Sequence, residues 1–343
     1  MSLFAPEPPL AAGPVPRTAI LFVNLGTPDA ADSASVRRYL AEFLSDTRVV
    51  EIPPLAWKVI LHGVILRIRP SASAAKYAKI WMPEGSPLAV WTARQASMLG
   101  SWLAGHGHRV PVRHAMRYGS PSVASQLDQL KAEGVDRILV LPAYPQYSGT
   151  TTASVSDAVF AWSSRQRVIP ELRFVQRYHD DPGYIAALAE RVESHWRQNG
   201  RGERLVLSFH GIPARTRELG DPYYDECLET STLLASELGL HAAEVLTTFQ
   251  SRFGRARWLE PYTQPTLEAL ARDGIKRVDV MCPGFTSDCL ETLEEIGMEV
   301  REAFLAQGGE AFHYIPALND SQRWVAALAG IAQRHLGGWP TRQ

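Results

Sequence analysis

Short apolar runs alternate along the chain with longer segments of helical spacing, and this alternation limits the possible folds most. The runs lie at 19–24, 110–116, 137–141, 172–176, 205–209, 245–249 and 278–282. Helical periodicity fills 33–44, 93–104, 123–132, 184–197 and 290–305. Strands that are apolar on both faces and separated by helices predict α/β architecture, a parallel sheet covered on both sides. At 343 residues the chain is long enough for two domains of ordinary size.

The two halves echo each other. FVNLGTP at 22–28 and LSFHGIP at 207–213 are both strand ends followed by Gly-x-Pro. GVDRILVLP at 134–142 is matched by GIKRVDVMCP at 274–283. Two matches in the same order point to a duplicated domain, with chance similarity of βα units as the alternative. The expected organisation is an N-terminal α/β domain over 17–165 and a C-terminal one over 166–318. A last helix over 319–336 is expected to pack back on the first domain. Residues 1–16, rich in Pro and Ala, read as a disordered tail.

In open parallel sheets, ligands bind beyond the carboxyl ends of the strands. His210 closes the strand 205–209 and precedes Gly-Ile-Pro, which places it at such an end. Asn24, 142–147 and 282–288 fall at equivalent ends. A hydrogen-bonded histidine in a tight turn is the plainer alternative for His210.

Bulk properties exclude several classes. The net charge of −1 gives no broad field for nucleic acid. Three cysteines, Cys227, Cys282 and Cys289, fit neither a disulfide framework nor a CxxC metal site, which favours a reducing compartment, the cytoplasm. The first 16 residues lack the basic start and apolar block of a signal peptide, and no apolar run approaches the ~20 residues of a bilayer span. There is no Walker loop, no GxGxxG and no GxSxG elbow.

The segment 282–300, CPGFTSDCLETLEEIGMEV, carries the densest chemistry. Ser287 or Asp288 suits a helix cap. Asp288, Glu291, Glu295 and Glu299 then follow at steps of three, four and four, so they share one helix face. That face is either a solvated acidic stripe, the reading preferred for Glu299, or a track of carboxylates for cations and protons. Crowded carboxylates have raised pKa values, which suits proton exchange near neutral pH.

Five stretches together resemble ferrochelatase: LFVNLGTPD (21–29), YPQYSGTTT (144–152), LSFHGIP (207–213), TTFQSRFGRARWLEP (247–261) and CPGFTSDCLETLEEI (282–296). The match runs in order from about residue 18 to about 327. The resemblance implies insertion of Fe²⁺ into protoporphyrin IX with release of two protons, the last step of haem biosynthesis. It also implies two similar doubly wound domains with the macrocycle in the cleft between them. By motif, His210 corresponds to the family's essential histidine and Glu291 to its partner carboxylate, both in catalytic and metal-binding roles. Asp288 and Glu295 fall in its acidic path for protons or metal. Cys289 departs from members with histidine there; packing is the preferred reading, since lone cysteines are mostly small buried hydrophobes.

Porphyrin contacts matched by resemblance are Leu25, Tyr144 and Trp258 against the ring; Arg69 and Arg117 are the candidates for the propionates, with Ser86 and Thr150 as added hydroxyl donors and Tyr118 a further porphyrin contact. Arginine suits those carboxylates because its fork can bind both oxygens. Some relatives hold an iron–sulfur cluster on four cysteines; here the motif position is Gly149 and residues 337–343 contain no cysteine. No cluster and no permanently bound cofactor are expected, with Fe²⁺ only as substrate. The expected partners are porphyrin and ferrous iron, without nucleic acid; no oligomeric state is implied.

The segment 55–68, LAWKVILHGVILRI, is apolar but too short to span a bilayer. It matches the family's apolar lip, which implies peripheral contact with the inner face of the cell membrane; a core helix is the alternative. Rival readings of the whole chain are a related chelatase using coproporphyrin or another tetrapyrrole or metal, and a non-catalytic porphyrin-binding protein.

Overall fold

The computed structural model describes residues 4–8, 17–254 and 256–342. Its strands form two four-stranded sheets, each wholly parallel. The first contains β1 (Arg17–Gly26), β2 (Val112–Tyr118), β3 (Val135–Pro142) and β4 (Glu171–Phe174), in the order β2-β1-β3-β4. The second contains β5 (Arg204–His210), β6 (Val245–Gln250), β7 (Arg277–Met281) and β8 (Ala311–Ile315), in the order β6-β5-β7-β8. Both sheets thus use the order second, first, third, fourth, and helices connect the parallel strands. This is the doubly wound α/β plan, repeated.

Each central strand is apolar because each is covered on both faces. Ala19 to Val23 of β1 and Ile138 to Leu141 of β3 have no exposed surface. In the second sheet Val206, Val278 and Val280 pack with Leu267, Ile296 and Phe304. Each such side chain gains roughly 1.5–3 kcal/mol from leaving water. β8 escaped the sequence reading. Its AFHYI pairs with β7 alone and is half-buried, so His313 and Tyr314 interrupt the apolar run that marks the other strands.

Chain contacts divide the molecule into two compact units. The first comprises 1–143, 149–176 and 328–343, and the second 144–148 and 177–327. The expected boundary at 165/166 lies ahead of β4, which hydrogen-bonds to β3 and so carries the first unit to Gln176. The short loop 144–148 counts with the second unit because three of its residues are held there. Gln146 Nε2 donates to Thr230 Oγ1 (2.9 Å), Tyr147 N–H to Glu226 Oε2 (2.6 Å) and Ser148 Oγ to Asp221 Oδ2 (3.1 Å). The final helix, Gln322–His335, divides between the units after Ala327. Its early part carries Trp324, packed against Tyr178 and Tyr184.

Of the expected disordered tail, residues 1–3 and 9–16 lie outside the described residues. Residues 4–8 are held by contacts. The Glu7 carboxylate accepts from the Val168 and Arg167 N–H groups (2.9 and 3.1 Å) and pairs with Lys131 (2.6 Å). Lys131 and those amides keep its carboxyl below the ordinary range.

The exit of β1 depends on glycine. Gly26 has φ +115°, and a Cβ there would fall 1.8 Å from the carbonyl oxygen of Tyr118, its partner on β2. Neither the dihedral nor the space admits a side chain. Gly26→Ala should therefore cost about 3 kcal/mol or more, placing it among severe backbone effects. Thermal unfolding of purified protein should show a fall of several degrees; an unchanged midpoint would contradict the close approach.

Candidate active site

In the second unit, β5 ends on His210 because the next residue allows the chain to turn tightly against β6. Gly211 N–H donates to the Gln250 carbonyl (2.8 Å), and a Cβ on Gly211 would lie 2.7 Å from that oxygen and 3.3 Å from the Trp258 ring. The loop bearing Trp258 is tied to the same turn. Ala214 N–H donates to Arg257 O (2.9 Å) and Leu259 N–H to Ile212 O (3.0 Å). His210 and Trp258, far apart in sequence, are thus neighbours through Gly211. His210 is half-buried, and its ring centre is 6.4 Å from that of Phe285.

The orientation of the imidazole is set locally. Nδ1 lies 2.6 Å from the Gly211 carbonyl oxygen. A carbonyl can only accept, so Nδ1 carries the hydrogen and, in the neutral ring, Nε2 keeps its lone pair. One ring edge is therefore committed to the fold, while the other is left for chemistry.

The acidic segment differs from the expected helix. Glu291–Val300 is a π-helix, with Arg301–Ala306 continuing as α-helix. π segments are rare and often occur at functional sites. Neither Ser287 nor Asp288 caps it, since the helical turn begins at Leu290. Asp288 lies in the preceding loop, only 4% exposed. Its oxygens accept from Tyr314 OH, from Ala317 N–H (3.3 Å) and from Asn319 Nδ2 (2.6 Å), with Thr292 Oγ1 at 3.0 Å. This corrects the expectation that Asp288 shares an open face with the glutamates: its carboxylate is saturated and anchors the loop.

Glu291 and Glu295 are half-buried and Glu299 is exposed, as preferred for Glu299 from the sequence. Glu295 takes the Ser251 N–H (2.7 Å) and hydroxyl (2.5 Å), with Gln250 Nε2 at 3.3 Å. Burial pushes its carboxyl above the ordinary range, against the Ser251 hydrogen bond and the attraction of His210; the charge on Glu291 adds to the upward push. His210, Glu291 and Glu295 thus act on one electrostatic neighbourhood. Cys289 is 5% exposed, and burial, then the Glu291 charge, push its thiol up, so it is a packed thiol rather than a thiolate.

Gln250 and Ser251 were not singled out in the sequence, although both lie in its TTFQSRFG stretch. Gln250 is 4% exposed and spans three elements. Its Oε1 accepts from Ser208 Oγ (2.8 Å), and its Nε2 donates to the Glu291 carbonyl (2.8 Å). A polar residue at the end of an apolar strand was the available signal. Tyr144, half-buried, belongs to the loop 144–148 of this unit.

The remaining sequence candidates lie in the first unit. Leu25 is half-buried at the end of β1, and its N–H is held by Asn24 Oδ1 (2.8 Å). Arg117 is engaged: Nε donates to Ser154 Oγ (2.7 Å) and Nη2 to Asp46 Oδ2 (2.7 Å). Tyr118 has no exposed surface, and its hydroxyl donates to the same Asp46 oxygen (2.7 Å). Tyr118 is therefore corrected from a ligand contact to a support for Asp46. Ser86 is 2% exposed and caps the helix Pro87–Gly105 by accepting Ala89 N–H (3.3 Å), which corrects its expected role as an open donor. Arg69 and Thr150 are half-buried; burial lowers the pKa of the Arg69 guanidinium.

The ferrochelatase family model matches residues 17–336. The chain belongs to the ferrochelatase family. It is 66% identical over 338 residues to a ferrochelatase of Methylibium petroleiphilum, covering 98% of this chain and 93% of the relative. It is 65% identical to one of Polaromonas sp. over 99% of this chain and 94% of the relative. Among solved structures it resembles SirB from Bacillus subtilis with Fe³⁺, with TM-score 0.56 and 12% identity over 94% of this chain and 96% of that one. CbiX, described as the terminal enzyme for siroheme biosynthesis in denitrifying bacteria, gives TM-score 0.52 and 16% identity over 93% and 100%. At those identities the structural likeness speaks for the fold.

As in any ferrochelatase, metal insertion frees protons, and here an imidazole lone pair and a carboxyl of raised pKa lie in one electrostatic neighbourhood. The Glu295 shift has a measurable consequence. An acid whose folded pKa exceeds its usual 4.5 carries no ionisation penalty at low pH and the full penalty above the folded value. Glu295→Gln should therefore gain in unfolding temperature relative to the unmodified chain as pH rises from about 4 to about 8. A difference that stays flat, or moves the other way, would remove the buried-carboxyl account.

Proposed function

We propose that this chain inserts Fe²⁺ into protoporphyrin IX to give protohaem, with His210 and Glu291 as the groups that meet the metal and the porphyrin protons. One observation carries the reading: His210 Nδ1 is fixed on the Gly211 carbonyl at 2.6 Å, so Nε2 presents a lone pair in the neighbourhood of Glu295 and Glu291. That lone pair can take a porphyrin proton or a ferrous ion, but not both at once. The balance of the reaction requires both events: two N–H bonds break, two protons leave, and the metal sheds water as it enters the ring.

Geometry explains why the ring must bend. The nitrogen lone pairs of a flat porphyrin lie in its plane and do not face a metal approaching from above. A site that binds the puckered ring better than the flat one lowers the barrier. Trp258, held against Gly211, and Tyr144 supply aromatic faces, and Leu25 an apolar contact. Protons taken up at His210 pass towards Glu291 and Glu295, where burial raises the Glu295 pKa and makes it a better proton acceptor than an ordinary carboxylate. Asp288 fixes the loop from which this helix starts.

For the propionates we propose Arg69 and Thr150. Arg69 is half-buried and burial lowers the pKa of its guanidinium, so an arriving carboxylate would favour its charged form. Arg117, committed through Nε and one Nη to Ser154 and Asp46, retains less capacity for a ligand.

Membrane contact through 55–68 belongs to the same proposal. Leu55 (85% exposed), Val59 (73%), Val64 (51%) and Ile68 (68%) form an exposed apolar stripe, while Trp57, Leu61 and Leu66 are buried. This amphipathic division suits a helix lying in a bilayer surface, where a greasy substrate could be collected. No described helix is long and apolar enough to cross a membrane. A cytoplasmic enzyme peripheral to the inner face of the membrane fits these features.

Four tests bear on the proposal. In an anaerobic assay with Fe²⁺, absorbance should show metallation of protoporphyrin; preferred turnover of coproporphyrin would shift the substrate, and porphyrin binding without metallation would leave only a carrier. His210→Ala should lose at least about a thousandfold in rate, within the range expected for a group required as base or ligand, while still binding porphyrin; full turnover would remove His210. Glu291→Gln should be severely impaired, and a wild-type rate would exclude it. Flotation with anionic liposomes should carry the protein, and replacing Leu55, Val59 and Ile68 by Ser should abolish co-migration; unaltered flotation would end the membrane reading.

A further inference from the structure

A second cluster of metal-ligating side chains lies within the second sheet, away from His210. Asp279 on β7 is 1% exposed, and it faces His313 on β8 and His195 on the helix Pro182–Asn199. Asp279 Oδ1 lies 3.2 Å from His313 Nδ1 and 3.8 Å from His195 Nε2. The three ligand atoms all fall within 4.8 Å of one another. Asp279 pairs with Leu205, five residues before His210 on β5. At ~3.3 Å per residue this puts the cluster roughly 17 Å along the strand from the reaction centre.

From this arrangement we infer a binding site for a late first-row divalent cation, formed by His195, Asp279 and His313. Two imidazoles and one carboxylate are a donor set for such ions. The carboxylate is already oriented as a ligand should be. Its other oxygen, Oδ2, accepts from Trp196 Nε1 (2.7 Å) and Gly202 N–H (2.6 Å), leaving Oδ1 for the histidines. The fit is tight: a Cβ at Gly202 would come within 2.9 Å of Oδ2.

A second observation points to a missing ligand. His195 Nε2 is buried without a hydrogen-bond partner, and 3.8 Å is too long for a hydrogen bond to Asp279. Leaving a buried polar atom unsatisfied costs about 1–3 kcal/mol. A cation among the three ligands would satisfy it after side-chain movements of about an ångström, given metal–nitrogen and metal–oxygen distances near 2.0–2.2 Å. Asn199 Nδ2 lies 3.3 Å from His195 Nδ1 and donates to the His195 carbonyl (3.1 Å); a metal at Nε2 requires the ring hydrogen on Nδ1, so the exposed Asn199 amide would have to yield that edge of the ring to water.

One group opposes the ion. Arg277 Nη2 lies 3.4 Å from His313 Nδ1, and it also donates to the Gly200 carbonyl (2.8 Å) and to Asn199 O. The guanidinium thus has carbonyl partners to retain when a cation displaces it from the imidazole. The ion would join the helix Pro182–Asn199 to two strands of its sheet, so its expected effect is on stability rather than on the chemical step.

The probe is Zn²⁺, added to metal-stripped full-length protein carrying His210→Ala and Glu291→Gln, so that ligands proposed for the reaction do not contribute. Calorimetry should find one equivalent bound with a rise in unfolding temperature, and X-ray absorption should show imidazole nitrogens on the ion. Adding His195→Gln or His313→Gln should weaken that binding at least tenfold while far-ultraviolet circular dichroism stays unchanged. The absence of bound Zn²⁺ in the His210/Glu291 double variant would overturn the site. So would affinity unaltered by either histidine change. If His195→Gln fails to fold, His313→Gln on the half-exposed edge strand provides the same comparison.

Discussion

The side-chain amide of Gln250 connects the parts of the site within the second unit. It accepts from Ser208 on β5 and donates to the backbone of Glu291 and towards the carboxylate of Glu295. Its own backbone carbonyl receives Gly211 N–H, immediately after His210. One buried residue therefore fixes the strand that ends in the imidazole and the helix that carries the carboxylates. Each of these groups would cost about 1–3 kcal/mol if left buried and unpaired. The network consequently specifies the relative positions of the imidazole and the carboxylates as strongly as it stabilises the fold.

The π-helix is integrated into this network. Its first residue, Glu291, gives its carbonyl oxygen to Gln250 rather than leaving it to the helix alone. Upstream, Asp288 gathers Tyr314, Ala317 and Asn319 around the loop. Those partners come from β8 and the segment after it, so an edge strand without catalytic residues helps hold the acidic segment in place. Of four acids aligned in sequence, one becomes an anchor, two face the histidine's neighbourhood and one is exposed.

Much of this was legible in the sequence, and the exceptions have physical causes. The seven strands read from apolar runs are all present because buried parallel strands need uninterrupted hydrophobic residues. β8 was missed because an edge strand does not, and His313 and Tyr314 broke the pattern. His210 was recognisable from its position before Gly-Ile-Pro, but its tautomer was not, because that depends on the fold of the Gly211 turn. The helix face was misassigned at Asp288 because counting by helical steps assumes that the helix has begun. Ser86, Arg117 and Tyr118 are expected porphyrin contacts, yet their polar atoms serve a helix cap and the Asp46 network; only side-chain partners could distinguish those uses. Gln250 has no chemistry of its own and gains its importance from the groups around it.

The duplicated fold is used asymmetrically. Leu25–Gly26 ends β1, and His210–Gly211 ends β5 and begins its turn. In both places a glycine permits an approach to the neighbouring strand that a Cβ would block, at 1.8 Å from Tyr118 O in one unit and 2.7 Å from Gln250 O in the other. The backbone requirement is therefore shared, while the preceding side chain is free to differ. That freedom allows one copy to present an apolar surface and the other a nitrogen lone pair. Strand order and glycine positions preserve the repeat, while the residue before the glycine differs, Leu25 in one copy and His210 in the other.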